Sequence, residues 1–394
     1  MSLLLTDERG GVMHRYVSTF TSPSVSTFTL THTSFISLMA LVLLRWIFKM
    51  LTVLIISQSV WVIYYTTDTL TSRDGMSNAF HQLHCANLRH KFSIIKPAKS
   101  INITSFTQDL SDLMSCPYKS NTTEQELNRI RLKLCCNATG SLYLTKHNTA
   151  VNQKIPYETS IIHTYRVDAA LHTLLPEDFP WSGRGLGQCA VVGSGGILKN
   201  SSCGCEIDSA DFVIRFNLAP VNDSDVGLKT DLITINPSQI RAGNLQKTPG
   251  LFAERVSVYG NSSLILPAFA YTFNTQLSIK TLKDLQPIRP QQPVVFFSPD
   301  YLRTLDRYWK RRGLKEIRLS TGFMLISMAL ELCEQVHVYG FWPFDSDLQQ
   351  RAVPHHYYDQ KGPKHGIHAM PEEFLRLLQL HSQGALTLHL LPCS

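Results

Sequence analysis

The sequence has no basic run interleaved with aromatics, so nothing in it supports a nucleic-acid surface. It also lacks a CxxC zinc spacing, an HExxH helix and a phosphate-loop lysine motif, which removes the common zinc and P-loop readings. No internal repeat is present, so solenoids and propellers are excluded. Charge is sparse: 17% of the 394 residues are Asp, Glu, Lys or Arg, against 44% hydrophobic. That apolar share suffices for one substantial core with a tail and a linker left over. The net charge of +7 is mild; it describes a solvated surface that also suits an anionic substrate.

Met50 to Tyr65 (MLTVLIISQSVWVIYY) contains no charge and ends in Trp61, Tyr64 and Tyr65. A membrane span needs about 17 to 25 apolar residues, and Thr66 and a snorkelling Lys49 extend this short run. Arg9, Arg15, Arg45 and Lys49 precede it, and only Arg73 follows closely. The positive-inside rule then leaves the N-terminus cytosolic and the C-terminal bulk lumenal. A start near residue 50 is too deep for an ordinary cleaved signal. An earlier apolar patch, Phe35 to Leu44, is only about half a span and is left out of the anchor. The chain divides into a cytosolic tail (1–49), a transmembrane signal anchor (50–66), a lumenal stem (67–150) and a globular domain (151–394).

A lumenal side gives two further signals meaning. Glycosylation sequons stand at Asn102, Asn121, Asn137, Asn200, Asn222 and Asn261, all downstream of the anchor. The 9 cysteines read as disulfide candidates there, and the odd number leaves at least one free or paired between chains. The polar stem shows helical periodicity only at Glu124 to Leu134, with Leu127, Ile130 and Leu134 on one face.

From about residue 185 strands alternate with helices. Strand candidates are Cys189–Val192, Phe212–Asn217, Leu232–Asn236, Leu264–Ala268, Val294–Ser298, Val336–Gly340 and Leu386–Leu391; helices are expected at Tyr301–Arg311, Gly322–Cys333 and Glu372–His381. Short strands apolar on both faces, with helices between, define an α/β sandwich around a largely parallel sheet. Ligands of such sheets bind beyond the carboxyl ends of the strands.

Four motifs fall at such places. CAVVGSGG (Cys189–Gly196) is a buried strand entering a glycine turn, equally a nucleotide loop or tight packing. Ser320-Thr321-Gly322 precedes an apolar helix, as an N-cap or an anion site. His355-His356-Tyr357-Tyr358-Asp359, with His365 and His368 beyond, suits acid/base or phosphate contacts better than a metal, since adjacent histidines do not easily serve one ion. In HAMPEEF, His368 lies just before a helix N-terminus, whose dipole favours a neutral general base, and Glu373 is placed to orient the ring. The Asp-Ser-Asp triplets at Asp223–Asp225 and Asp345–Asp347 read as loop chemistry rather than metal sites.

Taken in order, these segments resemble the four sialylmotifs of animal sialyltransferases. The long motif runs from Cys189 to about Ser238, the short from Leu319 to about Phe341, the third from His356 to Asp359 and the very short from His368 to Glu373. GFWPF, HHYYD and HAMPEEF are similar to the α2,8-sialyltransferase branch, especially its mono- and oligosialylating type VI and GD3 synthase members. The resemblance implies a modified Rossmann-like fold and an inverting, metal-independent transfer from CMP-sialic acid to a sialylated glycoprotein or glycolipid, with no cofactor. It makes His368 the base, with Glu373 beside it. It gives Ser194, Asn217, Ser320, Thr321, Gly322, Trp342, His355 and His356 to the donor. It pairs Cys189 with Cys333 and Cys203 with Cys393, and implies a single-pass type II Golgi membrane protein, with a homodimer compatible. Ser194 departs from the asparagine usual in the family, Phe216 from a common cysteine and Cys205 from a polar residue. The rival readings are a catalytically silent sialoglycan-binding homologue and a metal-dependent transferase using an Asp-Ser-Asp triplet.

Overall fold

The computed structural model describes residues 32–96, 103–181, 185–315, 317–360, 362 and 370–393. The chain forms two units, Met1–Ala79 and Phe80–Ser394.

In the first unit the helix that starts at His32 carries an apolar stretch, Leu38–Thr67, of 30 residues, with a mean hydropathy of 2.2 and none of it buried. At about 1.5 Å per residue this is longer than a hydrocarbon core of about 30 Å. The 50–66 anchor read from the sequence is therefore the later part of a longer apolar helix that also takes in Leu38–Leu44. Arg45 and Lys49 interrupt an apolar count, but neither breaks a helix.

The second unit is built on a parallel sheet. Its strands follow an antiparallel hairpin, β1 (Lys154–Tyr157) with β2 (Ser160–Arg166). They are β3 (Gln188–Val192), β4 (Phe212–Phe216), β5 (Leu232–Thr234), β6 (Ser263–Leu266), β7 (Val294–Phe296), β8 (Gln335–Tyr339) and β9 (Thr387–His389). The 7-stranded sheet has the order β7-β6-β5-β4-β3-β8-β9, and every pairing in it is parallel. Each strand expected from the sequence is present.

Side chains of a strand alternate between faces. Cys189 and Val191 join the core under the helix Thr321–Leu332, whereas Ala190 and Val192 pack with Leu198, Ile207 and Val226 on the other face. Both faces are apolar because both are covered, which is why the strands read as continuous apolar runs.

The segment 80–150, read as stem, belongs largely to the head. Helices Ile103–Ser115 and Thr122–Cys135 bury Leu110, Leu113 and Leu132 in the main core, together with Leu88 and Phe92. Few apolar residues suffice when they recur every third or fourth position, and among many Ser, Thr and Asn that recurrence is easily missed. The face expected for the second of these helices is also wrong: Ile130 and Leu134 are exposed, and Asn128 and Leu132 point inward. Arg129 holds this helix to the head by donating to the Cys333 carbonyl at 2.9 Å.

Cys189 pairs with Cys333 and Cys203 with Cys393, as the resemblance implied. Cys85–Cys116 and the adjacent Cys135–Cys136 form two more bridges, and Cys205 is free and exposed. The sequon residues Asn121, Asn137, Asn200, Asn222 and Asn261 are all exposed; Asn102 lies outside the described residues.

Candidate active site

The chain moves outward from β3 to β7, then returns to lay β8 against the other side of β3. Strand order reverses at that point, the place where ligands of such sheets bind, at the carboxyl ends of β3 and β8. Ser194 follows β3, Asn217 follows β4, and Trp342, His355 and His356 lie on the long loop after β8.

The glycine turn is explained by packing of chain on chain. A Cβ on Gly193 would sit 2.6 Å from the Gly340 carbonyl oxygen, one on Gly195 2.5 Å from the same atom, and one on Gly196 1.8 Å from the Pro354 oxygen. Their N–H groups donate to the carbonyls of Tyr339 (2.8 Å), Gly340 (2.9 Å) and His355 (3.3 Å). The turn is thus a seat for the β8 loop rather than a backbone cradle for phosphate. Gly340, at φ +69°, adopts the left-handed conformation that lets this loop turn back over the sheet.

The same packing brings the histidines to β3. Tyr357 N–H donates to the Ser194 carbonyl at 3.1 Å, and Gly195 bridges His356. Asp359 accepts from His356 Nδ1 at 2.9 Å, an acceptor that keeps the proton on Nδ1 and leaves Nε2 as the second ring nitrogen. The Tyr358 ring stacks on His356 with centroids 5.2 Å apart. Burial raises the Tyr358 phenol pKa, and the charge of Asp359 adds to the rise. His355 is half-buried; its pKa is lowered by burial and then by the neighbouring His356.

Asn217 sits at φ +56°, a left-handed turn that asparagine tolerates. Its side-chain oxygen accepts from Asn236 N–H at 3.1 Å, tying the ends of β4 and β5. Trp342 is buried and donates its indole N–H to the Ser346 carbonyl at 2.9 Å, which commits its one polar group within the protein.

Ser320 is the N-cap of the helix Thr321–Leu332, its hydroxyl oxygen accepting from Phe323 N–H at 3.0 Å. Thr321 and Gly322 open that helix, and by helix geometry their N–H groups have no intrahelical acceptor. Phe341 lies between this helix start and the glycine turn. A Cβ on Gly322 would come 2.5 Å from its ring, and one on Gly193 3.1 Å from it. Phe216 packs edge-on to the same ring, which gives the departure from cysteine a packing role.

Glu373 is placed on Ser320: its carboxylate receives the Ser320 N–H at 2.6 Å and the Ser320 hydroxyl. His368 and His365 lie outside the described residues. Both Asp triplets are loop ties, as expected. Asp225 accepts from the N–H groups of Asn200 and Ser202, and Asp347 from those of Gln349 and Arg351 as well as the Arg351 guanidinium.

Two groupings escape a motif reading because their members are distant in sequence. Arg318 makes a buried fork with Glu158 at 2.7 and 2.8 Å, joining the turn of the β1–β2 hairpin to the segment that leads into Ser320. His337 and His389, on adjacent strands, meet at 3.1 Å, and Glu206 accepts from Tyr339 at 2.7 Å and lies 3.2 Å from His389. An opening of about 610 Å³ elsewhere on the head, lined by Arg89, His90, Lys119 and Gln383 among others, shares no residue with the loops after β3 and β8.

A helix N-terminus, a histidine pair and a strand-order reversal thus lie together at the carboxyl edge of a parallel α/β sheet. Residues 143–385 match the profile of glycosyltransferase family 29 (sialyltransferase), and the chain belongs to that family. It is 40% identical over 315 residues to human Alpha-2,8-sialyltransferase 8F, covering 78% of this chain and 79% of that one. Human Alpha-2,8-sialyltransferase 8E is 40% identical over 320 residues, 80% and 85% of the two chains. The Alpha-N-acetylneuraminide alpha-2,8-sialyltransferase of Xenopus tropicalis is 42% identical over 281 residues, 70% and 81%. A crystal structure of a mammalian sialyltransferase in complex with Gal-beta-1-3GalNAc-ortho-nitrophenol covers 70% of this chain at 20% identity, with a TM-score of 0.41.

Proposed function

We propose that this enzyme transfers sialic acid from CMP-sialic acid to the terminal sialic acid of a glycoprotein or glycolipid glycan, forming an α2,8 linkage with inversion. The observation that carries this reading is that the β3 turn is met on one side by the His355–His356 segment and on the other, through Phe341, by the helix start at Ser320–Gly322, on a chain about 40% identical to named α2,8-sialyltransferases.

The chemistry asks for two things. The leaving CMP needs its phosphate charge stabilised, and helix-end N–H groups together with a histidine donor supply this without a metal or other cofactor. The incoming hydroxyl of the acceptor sialic acid needs a base; His368 takes its proton as the oxygen attacks the anomeric carbon opposite the departing phosphate. Asn217 and the ring of Trp342 complete the donor walls. The apolar helix Leu38–Thr67 serves as the signal anchor of a type II Golgi membrane protein, with the head lumenal.

His368→Ala is expected to abolish transfer while CMP still binds, read by product formation from labelled CMP-sialic acid and by CMP titration. Near-normal turnover in that variant would overturn the assignment. EDTA is expected to leave the rate unchanged; loss of turnover restored by manganese would instead assign a metal. A wild-type enzyme that binds sialylated glycans but transfers nothing would make it a silent homologue, a reading to which Ser194 in the donor loop gives its one specific motive.

A further inference from the structure

Glu373 stands in the first turn of the helix Met370–Ser382 and is 3% exposed. Ser320 gives its carboxylate two donors, the backbone N–H at 2.6 Å and the hydroxyl. A serine hydroxyl has one proton and two lone pairs. With the proton directed at Glu373, a lone pair is left to meet the Phe323 N–H at 3.0 Å. The side chain is thereby held in one orientation and its single proton is committed. Ser320 then has no hydroxyl hydrogen to offer a donor phosphate. The groups at this helix start that can meet an anion are the N–H groups of Thr321 and Gly322, with the Thr321 hydroxyl.

We infer that Glu373 is a positioning residue for the donor: through Ser320 it fixes the cap of the helix Thr321–Leu332 so that the Thr321 and Gly322 N–H groups meet the phosphate of CMP. This rests on the donor assignment proposed above. It differs from the role expected of Glu373 from the sequence, in which it orients the imidazole of His368. The two roles leave different signatures. A cap that is loosened lowers donor affinity and leaves the ionisation of the base alone. A base that loses its orienting carboxylate loses turnover and changes its pH profile.

The test uses the full chain in detergent, with Glu373→Gln, Glu373→Ala, Ser320→Ala and the Glu373→Gln/Ser320→Ala pair. CMP affinity is measured by calorimetry, and kcat and KM for CMP-sialic acid and for a sialylated acceptor are followed across pH. Glu373→Gln and Ser320→Ala are each expected to weaken CMP binding and raise the donor KM roughly tenfold, the scale of one charge-assisted hydrogen bond. The acceptor KM and the pH midpoint of kcat stay where they were. The double variant is no weaker than the worse single one, because Glu373 acts through Ser320. Additive losses, or a collapse of kcat with intact CMP affinity and a displaced pH midpoint, overturn the inference. Should Glu373→Ala fail to fold, the near-isosteric Glu373→Gln, checked by thermal melting, decides. A wild-type protein that binds CMP but transfers nothing sinks the proposed activity and leaves this inference standing, since the affinity measurement needs no turnover. A wild-type protein that binds no CMP overturns both.

Discussion

The two ends of the helix Thr321–Leu332 each meet a buried glutamate, and the two are treated oppositely. At the N-terminal end Glu373 receives two donors from Ser320, where the helix dipole also favours an anion. At the C-terminal end Glu331, 5% exposed, receives one N–H, from Ala138 at 2.8 Å. Its second oxygen is buried with no hydrogen-bond partner among the described residues, and the dipole there opposes negative charge. Burial raises the Glu331 pKa to about 7. The same residue type thus serves as an organised acceptor at one end and as a latently neutral acid at the other. What differs is the number of donors and the sign of the local field.

The strongest way to break this contrast is to release the C-terminal end altogether. Cys333 is the C-cap of the helix and is bridged to Cys189 in β3 across 144 residues. Replacing both cysteines by serine is expected to cost roughly 3 to 5 kcal/mol, the scale of a long loop closure. Chemical denaturation reads this, and an unchanged midpoint would show that packing alone holds the helix end.

Next comes the acid at that end. The pKa of Glu331 is raised from 4.5 to about 7, so its contribution is fully present below 4.5 and is lost as pH rises through about 7. At about 1.4 kcal/mol per pH unit the full loss is about 3 kcal/mol. Glu331→Gln keeps the acceptor for Ala138 and should melt higher than wild type above pH 7, with the difference vanishing near pH 5. Buried histidines run the other way: His381 is lowered to about 4 and His389 to about 3, both chiefly by burial. Their contribution is present above about 6.5 and is lost as pH falls through those values. Melting curves across pH are therefore expected to show an optimum on the mildly acidic side, and Glu331→Gln should broaden it towards alkaline pH.

The smallest effect belongs to the N-terminal end. Ser320→Ala removes a cap and should cost about 1 to 2 kcal/mol of stability in denaturant, less than either change at the other end, while its larger consequence is for donor affinity.

The sheet was legible in the sequence because a buried parallel strand leaves a simple trace: a short apolar run between turn residues, as in Cys189–Val192 or Leu264–Leu266. The order of those strands was not, since order depends on which edges meet. The β1–β2 hairpin was missed because β1 contains Pro156 and β2 exposes Ile161 and Ile162, so neither strand alternates clearly. The site was legible as segments and not as bonds. Ser320 and Glu373 could be marked separately, but 53 residues separate them and nothing in the sequence joins one to the other. Glu331 was invisible: a glutamate near the end of an apolar helix gives no sign that it points inward.

The position of β3 has a consequence for how the chain is made. During synthesis β3 emerges with β4 following soon after, but its other neighbour, β8, is translated only after β7 and two further helices. Until then β3 presents a naked rim of unpaired amides beside an apolar surface, and Cys189 remains a reactive thiol awaiting Cys333, which arrives just ahead of β8. Pairing and oxidation thus fall within one late interval of biogenesis, when the nascent chain is most in need of a chaperone's cover.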